Sequence, residues 1–402
     1  MFMFNNRFLF DALKTIFTSL LMAFGLQLVA YPLIQRTVGN AEFGHILTSY
    51  TILTIASVVM ANTLNNIRLV NMQFYDSNHY FSLFIRLFLI SIIIESIGLY
   101  IVFYVMFNVS WIGILALIIL NVLMCLRIYL SVFFRMKLQY NKILIVAVFQ
   151  FIGILVGLAC FRVVESWLVI FLVSELFALV YTFWKLKHID IVKTKKDAPH
   201  IINDYLMLLG TNALNNSNLY LDRLILLPLI NGTAVTFAFL ATFVGKMLAT
   251  FLYPVNNVLL SYVSVNANKN KLRQYTLVNI YGILAIIFVT IVSYPATLII
   301  VKLLYHLNPH QLTEYIIIGN IGVLLNVVST MIQTLNTKHS SITRQAHFTT
   351  IHTIFYIVLA IVLTHFYGLL AFFWITLIAN LIKLVILNFL GIKDVKKQIV
   401  SG

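Results

Sequence analysis

The chain has 402 residues, 61% of them hydrophobic and only 10% charged, with a net charge of +15 and a mean hydropathy of +0.97. This excludes a water-soluble domain, which would expose far too much apolar surface. It also argues against a nucleic-acid-binding protein, because the cations are scattered over separate segments and not gathered on one face.

A bilayer core about 30 Å thick needs roughly 20 apolar residues per helix. Stretches of that kind are predicted at 8–33, 43–67, 80–107, 111–133, 143–161, 166–184, 201–227, 233–263, 275–301, 311–336, 345–366 and 368–390. The expected fold class is therefore an all-α integral membrane protein of about 12 helices, with no room for a soluble domain. The first stretch exceeds the 7–15 apolar residues of a secretory leader, and no small-x-small site follows it, so it is expected to be a span. Cys125 and Cys160 both fall inside predicted spans, which argues against a disulfide framework.

Cations sort by gap. Nineteen Lys and Arg, from Arg7 to Lys397, lie at alternate gaps or the ends, against Arg36, Arg162 and Lys302 on the opposite side. The positive-inside rule then places both termini, and the hydrophilic stretch Lys185–His200, in the cytoplasm. That stretch splits the spans six and six. The expected organisation is an N-terminal lobe 1–185, a linker 186–200 and a C-terminal lobe 201–402, around a central cavity. Tyr31-Pro32-Leu33-Ile34 with Asn65-Asn66, and Leu227-Pro228-Leu229-Ile230 with Asn256-Asn257, hint at a parallel repeat.

No phosphate-binding loop, nucleophile elbow, zinc helix or D-x-D pair occurs, so neither a catalytic residue nor a cofactor or metal is expected. The informative groups are those a bilayer rejects. A central charge costs about 2.5–3.5 kcal/mol on insertion scales, so it must end up facing protein or water. Glu95, Glu175 and Lys246 fall near the middle of their spans, whereas Arg127 and Lys383 lie nearer the cytoplasm, where snorkelling to headgroups is an equal alternative. Span seven is the most polar. Its Thr211, Asn215, Asn218 and Asp222 stand at i, i+4, i+7 and i+11, with Asn212, Asn216 and Arg223 beside them. One stripe of a single helix would carry those four. The alternatives are a polar cavity and ordinary interhelical hydrogen bonding. Pro254 and Pro295 are expected either to kink spans eight and nine for motion or to bend them statically.

Pro32-Leu33-Ile34-Gln35-Arg36-Thr37-Val38-Gly39 with Glu42-Phe43-Gly44, and Leu221-Asp222-Arg223-Leu224-Ile225, together with the six-plus-six layout, resemble the polysaccharide-biosynthesis flippases of the Wzx type. These belong to the multidrug/oligosaccharidyl-lipid/polysaccharide exporter superfamily. The chain departs from their pattern after Asp222-Arg223, where Leu227-Pro228 precedes a Gly delayed to position 232. The resemblance implies a flippase of the bacterial cytoplasmic membrane. Its substrate would be an undecaprenyl-pyrophosphate-linked oligosaccharide for capsule or O-antigen, carried by alternating access among membrane lipids and alongside the pathway's polymerase and glycosyltransferases. Arg36, Arg127, Arg223 and Lys246 would then meet phosphate or acidic sugar, and Asn212, Asn215 and Asn218 would face hydroxyls. Glu95, Glu175 and Asp222 would hold those cations or couple transport to protons. Rival readings are a multidrug or metabolite antiporter of the same superfamily, a polysaccharide polymerase, and a membrane-bound glycosyltransferase or acyltransferase. The short outer loops disfavour the polymerase.

Overall fold

The computed structural model describes residues 6–71, 79–192, 201–250, 271–339 and 342–401. In chain order these form α1 (Asn6–Ala23), a π-helical segment (Phe24–Ala30), α2 (Tyr31–Val38), α3 (Asn40–Val70), β1 (His79–Phe81), α4 (Ser82–Phe107), α5 (Trp111–Met136), α6 (Tyr140–Val164), α7 (Leu168–Leu186) and β2 (Asp190–Val192). They continue with α8 (Ile201–Leu219), α9 (Leu221–Leu229), α10 (Gly232–Ala241), α11 (Phe243–Thr250), α12 (Lys271–Leu304), a 3-10 turn (Pro309–Leu312), α13 (Thr313–His339) and α14 (Ile342–Ser401).

Nine helices among the described residues are long and apolar enough to cross a membrane, and α10 with α11 forms a further stretch bent by 57°. α14 contains a break at Gly368, whose φ of 72° no helix accommodates and which is the first residue of the stretch predicted at 368–390. Only 17% of the apolar window is buried in either α4 or α12. Their outward faces carry Ile93, Ile94, Ile97, Ile283, Ile287 and Ile291, a surface suited to lipid and not to water. Pro254 and Asn256-Asn257 lie outside the described residues, as does most of the 186–200 stretch. Pro295 lies within α12, which continues past it to Leu304.

Contacts divide the chain into two compact units: Met1–Tyr31 with Ser49–Tyr220, and Pro32–Thr48 with Leu221–Gly402. In the first, Phe84 and Phe88 of α4 pack with Tyr129 and Phe133 of α5 and Leu64 of α3. Arg68, one of the nineteen cations that orient the chain by the positive-inside rule, is fully buried there. Its guanidinium carbon stands 4.2 Å from the Phe133 ring centre, and Nη2 donates to the His79 carbonyl at 2.6 Å. The pairing of β1 with β2 in parallel, His79 opposite Asp190, was not anticipated from the sequence; three-residue strands carry no readable periodicity. In the second unit, α12, α13 and α14 enclose Tyr275, Leu325, Ile332, Leu335 and Leu387.

Two local devices are legible once the backbone is seen. Pro32 has no N–H to donate and its ring crowds the preceding turn. The chain widens into the π-helical segment just before it, so that the Tyr31 N–H reaches back to the Leu26 carbonyl. In α6, Gly153 and Gly157 are spaced four apart and face α7. A Cβ on either would stand 2.6 Å from the Cα of Ser174 or Ile170 respectively. That contact is with backbone, which cannot swing aside, so Gly157→Ala should cost about 1–3 kcal/mol. A lowered unfolding temperature of the purified protein checks this against Gly98→Ala, whose Cβ would meet nothing within 4 Å.

Candidate functional site

The polar groups at membrane depth form separate clusters, one set in each unit. In the first unit, the close approach of α6 and α7 brings Gln150 within reach of Glu175. The Arg127 guanidinium of α5 grips Glu175 with two bonds, Nε to Oε2 at 2.6 Å and Nη2 to Oε1 at 3.1 Å. Gln150 Nε2 donates to Oε1 at 2.9 Å, while the Ser174 hydroxyl donates to the Gln150 carbonyl. Glu175 is 2% exposed, so a fork-to-fork pair with a third donor is the arrangement that burial of a carboxylate demands. Arg127 therefore reaches into the protein. The snorkelling alternative is not what the geometry shows.

Glu95 of α4 is half-buried. The Asn121 amide donates to it at 2.9 Å, and the Cys125 thiol lies 3.7 Å from its Oε2. No described cation pairs with it. Asn212 of α8 donates to the Thr63 hydroxyl of α3 at 2.8 Å, and Asn216 donates back to the Asn212 carbonyl. The side chains of Thr211, Asn215 and Asn218 lie outside the described residues. The expected single stripe through span seven is not continuous: α8 ends at Leu219 and α9 begins at Leu221, so Asp222 sits on a different helix from Asn215.

In the second unit the site is built on a broken helix. Ending α10 at Ala241 and restarting at Phe243 strands backbone groups that hydrocarbon cannot satisfy. Asn320 of α13 meets this need. Its Oδ1 accepts from the Gly245 N–H at 2.7 Å, and its Nδ2 donates to the carbonyls of Ala241 at 2.8 Å and Ile316 at 2.6 Å. A Cβ on Gly245 would collide with that same Oδ1. The next residue is Lys246, whose Nζ donates to Asp222 Oδ2 at 2.6 Å. Asp222 and Arg223 are 8% and 7% exposed, and the Arg223 guanidinium carbon stands 5.3 Å from the centre of the Phe239 ring. Adjacent on α9, the two point in different directions, and the partner of Asp222 lies on another helix, as their 100° offset requires.

Arg36 has a different surrounding. Nε and Nη2 donate to the carbonyls of Leu304 and Leu303 at 2.7 and 2.9 Å, the last turn of α12. A cation there satisfies orphan carbonyls and the negative helix end. Gly39 follows with a φ of 83°, so both named positions of the Pro32–Gly39 motif have structural work. Two residues were undervalued from the sequence. Lys383 of α14 is 4% exposed and donates to Asn326 of α13 at 3.1 Å; its off-centre position suggested snorkelling. Asn320 drew no notice because one Asn in an apolar span looks like a packing residue.

No protein-family description and no curated protein sequence matches the chain. Solved structures do. An inward-facing multidrug resistance MATE transporter of the MOP superfamily aligns over 96% of this chain and 98% of its own, at 13% identity and a TM-score of 0.63. The lipid II flippase MurJ in an inward closed conformation aligns over 97% and 88%, at 16% identity and 0.59. A MOP superfamily transporter from Pyrococcus furiosus, described as having a binding pocket of reversed polarity, aligns over 96% and 95% at 14% identity and 0.64. The chain thus has the fold of MOP-superfamily transporters, a multi-pass membrane fold.

Proposed function

We propose that the protein is a flippase that moves an undecaprenyl-pyrophosphate-linked oligosaccharide repeat unit across the bacterial cytoplasmic membrane, for capsule or O-antigen synthesis. One observation carries this reading. Among the described residues of the second unit, the buried charged side chains are Asp222, Arg223 and Lys383, and the part-buried Lys246 pairs with Asp222. Cations gathered at membrane depth can be stabilised further by charge-assisted bonds to an anion that arrives there. A pyrophosphate is such an anion, and it cannot cross hydrocarbon without replacements for its lost water contacts. The fold shared with a lipid II flippase supports the choice of a lipid-linked cargo.

The proposal includes twelve spans in two six-helix lobes, 1–185 and 201–402, joined by the 186–200 linker, with both termini cytoplasmic and alternating access between the lobes. Six of the long apolar helices precede residue 187, which supports six spans in the first lobe. Arg36, Arg127, Arg223 and Lys246 are assigned to the phosphates or acidic sugars, and Asn212, Asn215 and Asn218 to hydroxyls. Glu95, Glu175 and Asp222 are assigned to cation positioning and proton coupling.

A multidrug or metabolite antiporter of the same fold is the second reading, favoured by Glu95, a mid-span carboxylate with amide and thiol partners in place of a cation. Deleting the gene separates the two. The flippase requires lipid-linked repeat units to accumulate on the inner leaflet with their synthesis intact. An unchanged leaflet distribution together with altered drug sensitivity overturns it in favour of the antiporter.

A further inference from the structure

Away from these clusters, the Lys-rich end of the first unit holds a cavity of about 370 Å³, within the roughly 300–1,000 Å³ of ligand pockets. Its polar lining is His79, Lys137, Gln139, Lys142, Lys185 and His188, with no carboxylate among the described residues. Four separate elements deliver these groups. β1 supplies His79, the turn between α5 and α6 supplies Lys137 and Gln139, the first turn of α6 supplies Lys142, and the end of α7 supplies Lys185.

Two of the three lysines lie against aromatic faces, and none of the three has an acidic partner among the described residues. Lys185 Nζ stands 3.6 Å from the Trp184 ring centre, and Lys142 Nζ stands 5.7 Å from that of Phe134. None of the ion pairs of the described residues involves Lys137, Lys142 or Lys185. Lys142 moreover sits at the positive end of the α6 dipole, where a cation is disfavoured until an anion joins it. Gln139, the residue before that helix, makes no side-chain cap to it. Beside the cavity, Trp184 and Leu138 are 58% and 57% exposed. An exposed Trp next to Lys is the composition of a headgroup-level belt.

We infer that this cavity binds a phosphate-bearing anion, a site distinct from the proposed transport path. The chemistry is shared by an anionic phospholipid headgroup and by free phosphate; the flanking Trp184 and Leu138 favour the lipid, because they offer its chains an apolar surface.

The test uses the purified full-length protein and two probes. The first is vesicles of phosphatidylglycerol set against phosphatidylcholine, with bound lipid counted by native mass spectrometry. The second is inorganic phosphate titrated into lipid-stripped protein in detergent. A Lys held against a bound anionic headgroup is worth about 1 kcal/mol, a factor of about five, and Lys137, Lys142 and Lys185 line the cavity whereas Lys393, Lys396 and Lys397 do not. K137Q/K142Q/K185Q should therefore lose about a hundredfold in phosphatidylglycerol retention with an unchanged unfolding temperature. K393Q/K396Q/K397Q, which removes the same charge from the last stretch of α14, should lose no more than a few-fold. Phosphate binding that disappears only in the first variant supports the site and identifies free phosphate as an occupant. Equal lipid losses in both variants, with no phosphate binding by the wild-type protein, overturn the inference.

Discussion

Lys246→Ala is expected to reduce export of the lipid-linked repeat by about tenfold to a hundredfold, as loss of a charge-assisted contact worth about 1.5–3 kcal/mol predicts. The single variant mixes two effects. Removing the ammonium also leaves Asp222 buried without its partner at 2.6 Å, and breaking such a pair costs about 3–5 kcal/mol of stability. Asp222→Leu combined with Lys246→Met separates them, because replacing a whole buried pair by apolar groups is often neutral or stabilising by about 1–4 kcal/mol. The double variant should unfold at or above the wild-type temperature and still fail to export. Normal export by the stable double variant would reduce the pair to an architectural role and remove Lys246 from the substrate site. Lys246→Arg, which keeps the charge but changes its shape, is expected to retain partial export.

The second large effect is expected at Asn320→Leu. The change removes the acceptor for the Gly245 N–H and the donor to the Ala241 carbonyl, two groups that the bend between α10 and α11 leaves without helical partners. At about 1–3 kcal/mol for each buried group left unsatisfied, the loss should be about 2–6 kcal/mol, read as a fall in unfolding temperature in detergent. Lys246 follows Gly245 directly, so export should fall with stability. Asn320→Asp keeps an acceptor for Gly245 but loses the donor, and should fall between the wild type and Asn320→Leu. Equal stability of all three proteins would show that the bend is held by something other than this side chain.

Arg36 shows how much of a motif's physical work is invisible in sequence. Its position at the end of a span suggested contact with substrate, and its bonds to the carbonyls of Leu303 and Leu304 span a separation no local pattern encodes. Arg127 behaved oppositely: an off-centre position suggested snorkelling, yet Glu175, 48 residues away, holds it inside. The stripe of span seven met a third obstacle, since helical periodicity presumes an unbroken helix and α8 ends at Leu219 before α9 begins at Leu221.

The sequence by itself determined that the chain is helical and membrane-spanning, where most apolar stretches run, and which few charges lie deep within them. Partition into a bilayer is decided span by span, by transfer energies that add along the chain. Tertiary structure alone decided the partners: Arg127 with Glu175, Asp222 with Lys246, and Asn320 across the gap in its neighbour. It also decided which segments belong together, with Pro32–Thr48 grouped with Leu221–Gly402. A hydrogen bond or ion pair depends on angstrom-scale distance between atoms brought together by packing, and neither spacing nor hydropathy along a chain contains that distance.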